Sequence, residues 1–352
     1  METVLRLGTR GSRLALAQAR LVAQALSRAQ PACRVEIVVV RTTGDAVLDR
    51  PLHEVGGKGA FTRELELALL DRRIDVAVHS CKDVPVTQPL INMDELVLAC
   101  FPPREQACDV LVWPGANVPA TGTTSASTTS RGAPDAGSGK PPAGSTSAST
   151  LTSGKPRTGK PANSSTSAST LDALPRGARV GTSSPRRAAM LLELRPDLRV
   201  LAVRGNIDTR LARLDAGECE ALLLAKAGLL RAGLLDPTRM RDLPVEQFVP
   251  AAGQGALALQ CRRDDATTIA LLAAIDCPTT RRCVELERAV VRELQGDCHS
   301  AIGVHAQPRD AELLVLAALG VERGVKRARA SVTTREPIDA SAARIARMLR
   351  DG

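Results

Sequence analysis

The sequence predicts an α/β protein of two similarly built lobes, followed by a small C-terminal α+β domain with a three-stranded antiparallel sheet. Three observations carry this. Short runs rich in Val and Leu end in polar turns and alternate with apolar residues at helical spacing, the mark of mostly parallel, buried strands. The order of elements met before residue 90 is met again after residue 178. From Thr279 the order changes to one helix, three strand-like runs and a last helix.

Val4–Leu7 reads as a strand, Gly8-Thr9-Arg10-Gly11-Ser12 as a tight turn, and Leu14–Leu26 as a helix rich in Ala and Leu. Val35–Val40 is a second strand, ending in Arg41-Thr42-Thr43-Gly44-Asp45. Val55-Gly56-Gly57-Lys58-Gly59 is a flexible loop, and Phe61–Leu70 has helical spacing. The stretch Ile74-Asp75-Val76-Ala77-Val78-His79-Ser80-Cys81-Lys82-Asp83-Val84-Pro85 opens as a buried strand. Pro85 stops it, because proline cannot continue a ladder. Open α/β sheets bind ligands beyond the carboxyl ends of their strands. Lys82 and Asp83 therefore stand where such a fold puts its chemistry. A lone Lys–Asp pair is more often a structural ion pair, so its surroundings decide.

The second lobe repeats the pattern. Arg179-Val180-Gly181-Thr182-Ser183-Ser184 matches the first strand and turn, and Arg187–Leu194 is the helix after it. Arg199–Val203 is a strand ending in Arg204-Gly205-Asn206-Ile207-Asp208, and Thr209–Leu214 a short helix. Glu220–Ala225 is an apolar strand ending at Lys226-Ala227-Gly228, the counterpart of the stretch ending at Lys82-Asp83. Phe248–Leu257 is Gly-rich and then apolar, suited to a return crossover between lobes. In the last domain Arg281–Leu294 is a helix with Gly296 placed to cap it. Ile302–Ala306, Leu313–Val321 and Ala328–Thr333 are its strands, and Asp339–Leu349 its final helix. The expected domains are residues 1–99 with 256–273, residues 104–249, and residues 278–352.

Residues 114–170 break this pattern. Thr-Ser-Ala-Ser-Thr recurs at 124–128, 146–150 and 166–170, and Gly-Lys-Pro at 139–141, 154–156 and 159–161. Such a segment cannot bury enough surface to offset its ordering entropy, so it reads as a disordered insertion. It holds five cations against Asp135, so +4 of the chain's net +9 lies there. The weaker balance elsewhere, with no Tyr, one Trp and three Phe, argues against nucleic-acid binding, which uses aromatic residues for base stacking. Gly154 to Lys160 imitates a phosphate-binding loop, but Pro161 holds the hydroxyl position and no strand precedes it. Nine cysteines without a C-x-x-C suit reduced thiols. With neither a signal-peptide pattern nor an 18-residue apolar run, the expectation is a soluble cytoplasmic protein. No apolar stripe is evident, so a monomer is expected.

Arginine marks the strand-end turns. Arg10, Arg41, Arg186, Arg187, Arg204 and Arg210 flank them, and Arg231 follows Lys226. Guanidinium forks bind carboxylates bidentately, so a cleft between the lobes would take a ligand with several carboxylates or phosphates. For any single arginine, decoration of a surface turn is the better reading; it is the group that points to a ligand. Cys298, in the loop Gly296-Asp297-Cys298-His299-Ser300, is a candidate nucleophile or attachment point. A metal site with His299 and His305 would lack two further ligands, so none is expected.

These motifs, with Arg204-Gly205-Asn206 and Gly253-Gln254-Gly255-Ala256, resemble the porphobilinogen deaminase family, also called hydroxymethylbilane synthases. The resemblance covers nearly everything outside 114–170. It implies two lobes like periplasmic binding proteins and a third domain. It implies that four porphobilinogens are joined head to tail with loss of ammonia, on a dipyrromethane cofactor in thioether linkage to a cysteine, here Cys298. It implies Asp83 as the catalytic carboxylate. It assigns cofactor contacts to Ser12, Lys82, Thr182, Ser183, Ser184, Arg187, Arg204 and Gly205, and substrate contacts to Arg10, Lys58, Arg186, Arg210 and Arg231. The attachment loop departs from the family's Gly-Gly-Cys: Asp297 precedes Cys298, and its charge should raise the thiol pKa. A non-catalytic two-lobed binder of polycarboxylates, or a relative that has lost its cofactor, would share these features.

Overall fold

A computed structural model of the chain describes residues 3–41, 62–86, 95–115, 170–297 and 300–351. The turn at 42–45, the loop containing Lys58, nearly all of the expected insertion, Cys298 and His299 lie outside the described residues.

The first lobe contains β1 (Thr3–Thr9), α1 (Arg13–Ala29), β2 (Cys33–Val39), α2 (Arg63–Leu70), β3 (Val76–Ser80) and β4 (Leu96–Cys100). The chain then enters the second lobe with β5 (Asp109–Val112), β6 (Arg179–Gly181), α3 (Pro185–Leu194), β7 (Arg199–Leu201), α4 (Ile207–Asp215), β8 (Ala221–Ala225), α5 (Lys226–Ala232) and β9 (Met240–Asp242). It returns through β10 (Leu257–Arg262) and α6 (Ala266–Ala273). The last domain is α7 (Pro278–Glu293), β11 (Ile302–Arg309), β12 (Glu312–Val321), β13 (Gly324–Thr333) and α8 (Ile338–Asp351).

The two five-stranded sheets have one design. Their orders are β2-β1-β3-β10-β4 and β7-β6-β8-β5-β9. In each, three parallel strands meet one antiparallel strand that arrives from the other lobe: β10 beside β3, and β5 beside β8. This exchange of strands forces two crossovers, around residues 101–108 and 243–256. They are bonded together where Glu105 N–H donates to Gly255 C=O at 3.1 Å.

The apolar runs explain the placement. Leu5, Leu7, Val76 and Val78 are buried with Val22 and Leu26 of α1, whose core positions recur at helical spacing. Val180, Ala221 and Leu223 play the same part in the second lobe with Met190 and Leu191 of α3. The three-stranded sheet packs on α7 and α8, yet Leu316 and Ala318 of β12 join the second lobe's core.

Several expectations shift. The strands β4, β5 and β9 were not apparent from the sequence; β5 and β9 have four and three residues, too few for a period to register. Lys226–Ala232 is a helix, stopped by left-handed Gly233. Gly296 is not the residue that turns the chain after α7; Gln295 takes the positive φ of 56°. Gly296 is needed for space, since a Cβ there would lie 2.3 Å from Ile302 Cδ1.

Gly255 must be glycine on two counts. Its φ is +86°, and a Cβ would stand 2.3 Å from the backbone oxygen of Glu105 on the facing crossover. Gly217 has a φ of +78° but open space around it. Gly255→Ala is therefore expected to destabilise by about 2–4 kcal/mol in urea denaturation, against about 1 kcal/mol for Gly217→Ala.

Candidate functional site

The turns that follow β1, β3, β7 and β8 converge on a cavity of 230 Å³ between the lobes. Arg10, Ser12, Lys82 and Asp83 come from the first lobe, and Arg187, Gly205, Arg210 and Arg231 from the second. A smaller space of 60 Å³ adjoins it, sharing Arg10, Ser12 and Asp83 and reaching Thr62 and His79. Asp83 ends the single 3-10 turn Cys81–Asp83 that β3 runs into, and its side chain is exposed.

Behind the cavity lies a buried polar network. Asp109, the first residue of β5, is fully buried. Its carboxylate accepts from Arg186 Nη2 at 2.8 Å, Arg187 Nη2 at 2.7 Å and Gln254 Nε2 at 2.9 Å. Burial alone would raise the Asp109 carboxyl; the two guanidinium charges and these hydrogen bonds outweigh it and hold it well below the usual range. Gln254 Oε1 in turn accepts from Lys82 Nζ at 3.4 Å, and Gln254 Nε2 also donates to Ala107 C=O. One crossover side chain thus connects the first lobe's lysine to the second lobe's arginines.

A second buried carboxylate fixes the third domain to this hinge. Glu287 of α7 accepts from Arg104 Nη1 at 2.6 Å, from Gly253 N–H and from Ala306 N–H, both at 2.7 Å. Arg288, the next residue, donates to the carbonyls of Val84 and Pro85 at 2.8 and 2.7 Å. The segment following Asp83 is therefore held by the helix that leads to the Cys298 loop.

Three of the cations facing the cavity are poorly solvated. Burial lowers the Lys82 ammonium to about 8, and Arg187 adds to the effect. Burial brings Arg210 and Arg231 down to about 10. Arg210 bonds Gly205 C=O through Nε at 2.8 Å, and Arg231 bonds Gly255 C=O through Nη2 at 2.6 Å. His79 is pushed down to about 4 by burial, so it is neutral at pH 7 against Gln260. Cations held in this state gain from an incoming carboxylate, which restores the partner that water no longer supplies.

The sequence-predicted residues separate into groups. Arg10, Ser12, Lys82, Asp83, Arg187, Gly205, Arg210 and Arg231 line the cavity. Ser12 also caps α1, accepting from Ala15 N–H, and Ser184 caps α3 in the same way toward Arg187 N–H. Thr182 is buried, its hydroxyl accepting from Ser184 N–H, and the exposed Ser183 donates to Val203 C=O. Arg204 is half-buried and close enough for its charge to lower Arg210. Arg186 is away from the cavity lining: Asp109 and Val249 C=O occupy its guanidinium. His305 is buried with Nδ1 3.5 Å from Glu287 Oε1. Among the described residues no cluster of three or more His, Cys, Asp or Glu could hold a metal ion. No helix among them is long and apolar enough to cross a membrane.

Two residues that matter here were not assigned roles from the sequence. Gln254 lies between Gly253 and Gly255, both with positive φ, in a stretch whose glycines give no sign that the side chain between them is buried. Asp109 had a visible signal: a carboxylate opening an apolar run must find a cation once buried.

The family model described as "Porphobilinogen deaminase, dipyromethane cofactor binding domain" matches residues 5–133 and 147–270, and "Porphobilinogen deaminase, C-terminal domain" matches residues 281–349. The chain belongs to the porphobilinogen deaminase family. The gap in the match, 134–146, falls within the low-complexity segment. A porphobilinogen deaminase of Nitrobacter winogradskyi is 42% identical over 303 residues, covering 86% of this chain and 78% of that protein. Another, from Syntrophobacter fumaroxidans, is 39% identical over 312 residues, covering 89% and 82%. A Bordetella pertussis BvgS VFT2 domain overlaps 77% of this chain and 86% of its own, at 12% identity and a TM-score of 0.37; at that score the strand order, not the overlap, is what defines the lobes.

The family's cofactor is a dipyrromethane, and the residues present fit such a group. It is built from two pyrroles bearing acetate and propionate, and the cavity presents Arg10, Lys82, Arg187, Arg210 and Arg231 on its walls.

Two measurements test this electrostatic arrangement. Lys82 releases its proton near 8 in the folded chain against 10.5 when unperturbed. Between those values the unfolded chain binds more protons, so the ligand-free protein should gain stability as pH rises. Affinity for a polycarboxylate should instead fall as pH passes about 8, and Lys82→Arg should flatten that fall in a calorimetric titration. Asp109→Ala leaves two buried guanidiniums unpaired and is expected to destabilise by about 3–5 kcal/mol, read by urea denaturation.

Proposed function

We propose that this chain joins four porphobilinogens into the linear tetrapyrrole hydroxymethylbilane, releasing ammonia at each addition, with Asp83 as the catalytic carboxylate. The observation that carries the assignment of roles is the position of Asp83: an exposed carboxylate in a cavity whose walls also carry Arg10, Lys82, Arg187, Arg210 and Arg231. Departure of ammonia from the aminomethyl group leaves a cationic azafulvene. A carboxylate already oriented beside that cation stabilises it as it forms and accepts the pyrrole N–H, an effect worth about 10²–10³ in rate. The arginines hold the acetate and propionate arms, and Lys82 adds a charge whose strength depends on pH.

When bound, the dipyrromethane supplies the pyrrole carbon to which the first substrate is joined. Arg187, Lys82, Gly205 and Ser12 are its proposed holders, with Arg204 beside them; Arg10, Arg210 and Arg231 are the proposed substrate contacts. Thr182, Ser183 and Ser184 shape the turn that presents Arg187. Arg186 acts through Asp109. Lys58 and Cys298 remain assigned by their motifs. The lobes at residues 1–99 with 256–273 and 104–249, and the domain at 278–352, are the proposed functional units. A monomer in the cytoplasm, acting on a small acidic pyrrole and not on nucleic acid, fits the free cysteines and the shortage of aromatic residues for base stacking.

Asp83→Ala is expected to keep its circular dichroism and melting behaviour while losing at least 99% of turnover, about 10² or more; near-normal turnover would remove Asp83 from the mechanism. Intact-mass measurement separates this reading from a polycarboxylate-binding protein. The enzyme carries a dipyrromethane adduct that Cys298→Ser abolishes, and a binder has the bare chain mass.

A further inference from the structure

The cavity wall holds two carboxylates. One is Asp83. The other, Asp208, stands in the first turn of α4 on the opposite lobe. Its Oδ1 accepts from Arg13 Nη1 at 3.0 Å, and Arg13 is the first residue of α1. This ion pair therefore runs from one lobe to the other along the cavity wall. The lobes also approach closely beside it: a Cβ added to Gly228 would lie 3.6 Å from Leu14 Cδ2 and 3.1 Å from Ile207 Cδ1.

Arg13 breaks a local rule. It is a cation at the positive end of a 17-residue helix whose first turn has no acidic residue, where the macrodipole disfavours it. A sequence that violates local preference in this way commonly does so at a functional position. Its partner does not hold it firmly. The two side chains are 54% and 48% exposed, and an exposed ion pair shifts an equilibrium by at most about fivefold. A carboxylate inside a cleft built for acidic ligands is otherwise out of place, since it repels them.

We propose that Arg13 is a further carboxylate-binding residue of the cleft and that Asp208 is its placeholder. Asp208 occupies the guanidinium while the cleft is empty and yields it to a carboxylate arm of the incoming ligand. Arg13 is then paired in both states, so the exchange exposes no lone cation. The released Asp208 stays at the N-terminus of α4, where the helix dipole favours its charge. Breaking the pair also removes a tie between lobes, so loading the cleft and loosening this side of it are one event. The inference rests on the acidic-ligand reading of the cleft given above.

Calorimetric titration with pyromellitate, an unreactive tetracarboxylate, reads the exchange without turnover, and initial rates with porphobilinogen separate KM from kcat. Asp208→Asn should bind pyromellitate about two- to fivefold more tightly and lower KM with kcat unchanged. Arg13→Gln should weaken binding by roughly three- to tenfold, the loss of one charge-assisted hydrogen bond at a half-exposed site. Asp208→Glu, which keeps the pair, should stay within about twofold of the unaltered protein. Equal affinities across unaltered protein, Arg13→Gln and Asp208→Asn would overturn the proposal; so would an Arg13→Gln effect confined to kcat, or no pyromellitate binding at all. The expected shifts in a protein that releases no ammonia from porphobilinogen would uphold the placeholder and remove the enzymatic reading. Normal turnover with flat affinities would do the reverse.

Discussion

The buried carboxylate of Asp109 constrains this molecule more than any other group. It opens the strand that crosses into the second lobe, and it is out of contact with water. A buried charge must be matched, and the match is made by two consecutive arginines at the start of α3 and by Gln254 on the returning crossover. Such a cluster contributes little net stability compared with an apolar filling of the same volume. What it contributes is position: the crossovers, the start of α3 and Lys82 are tied in one arrangement, and Arg187 reaches the cavity as part of it.

Glu287 extends the same logic to the third domain. Its carboxylate receives Arg104 and two backbone N–H groups, one from each side of the junction. The backbone of Gln254 accepts from Arg104 Nε at 2.9 Å, so the two carboxylate clusters meet at one residue. Arg288 adds a hold on Val84 and Pro85, immediately after Asp83. The third domain thus holds the turn of Asp83 directly, and under the proposed roles the domain bearing Cys298 would keep a tethered ligand in register with that carboxylate.

The cavity shows the usual exchange of stability for function. Lys82, Arg210 and Arg231 are each partly stripped of water, and each holds its proton less tightly for it. In the ligand-free protein this is unfavourable; an acidic ligand reverses it. A chain growing by one acidic pyrrole at a time brings its own counter-charges, which accounts for a cleft with so many cations. His79, kept neutral at neutral pH, adds no further positive charge behind Arg10.

The sequence by itself determined the parallel strands and which turns face the cleft, because a buried parallel strand needs an unbroken apolar run and its carboxyl end is where an open sheet leaves room for a ligand. Lys82, Asp83, Arg10 and Arg210 were legible for that reason. It also determined the two-lobed plan, since the order of elements repeats. It did not reveal the exchanged strands: β5 has four residues and begins with a charge, and no local period identifies it as an inner strand of a sheet. Nor could it separate Arg186 from Arg187, neighbours in one Ser-Pro-Arg-Arg turn. Only the tertiary structure decided that Arg186 points to Asp109 and Val249, while Arg187 shares Asp109 and also lines the cleft. The partner lies 77 residues earlier, and which guanidinium it takes depends on how two crossovers pass each other, a long-range packing outcome that no local pattern encodes.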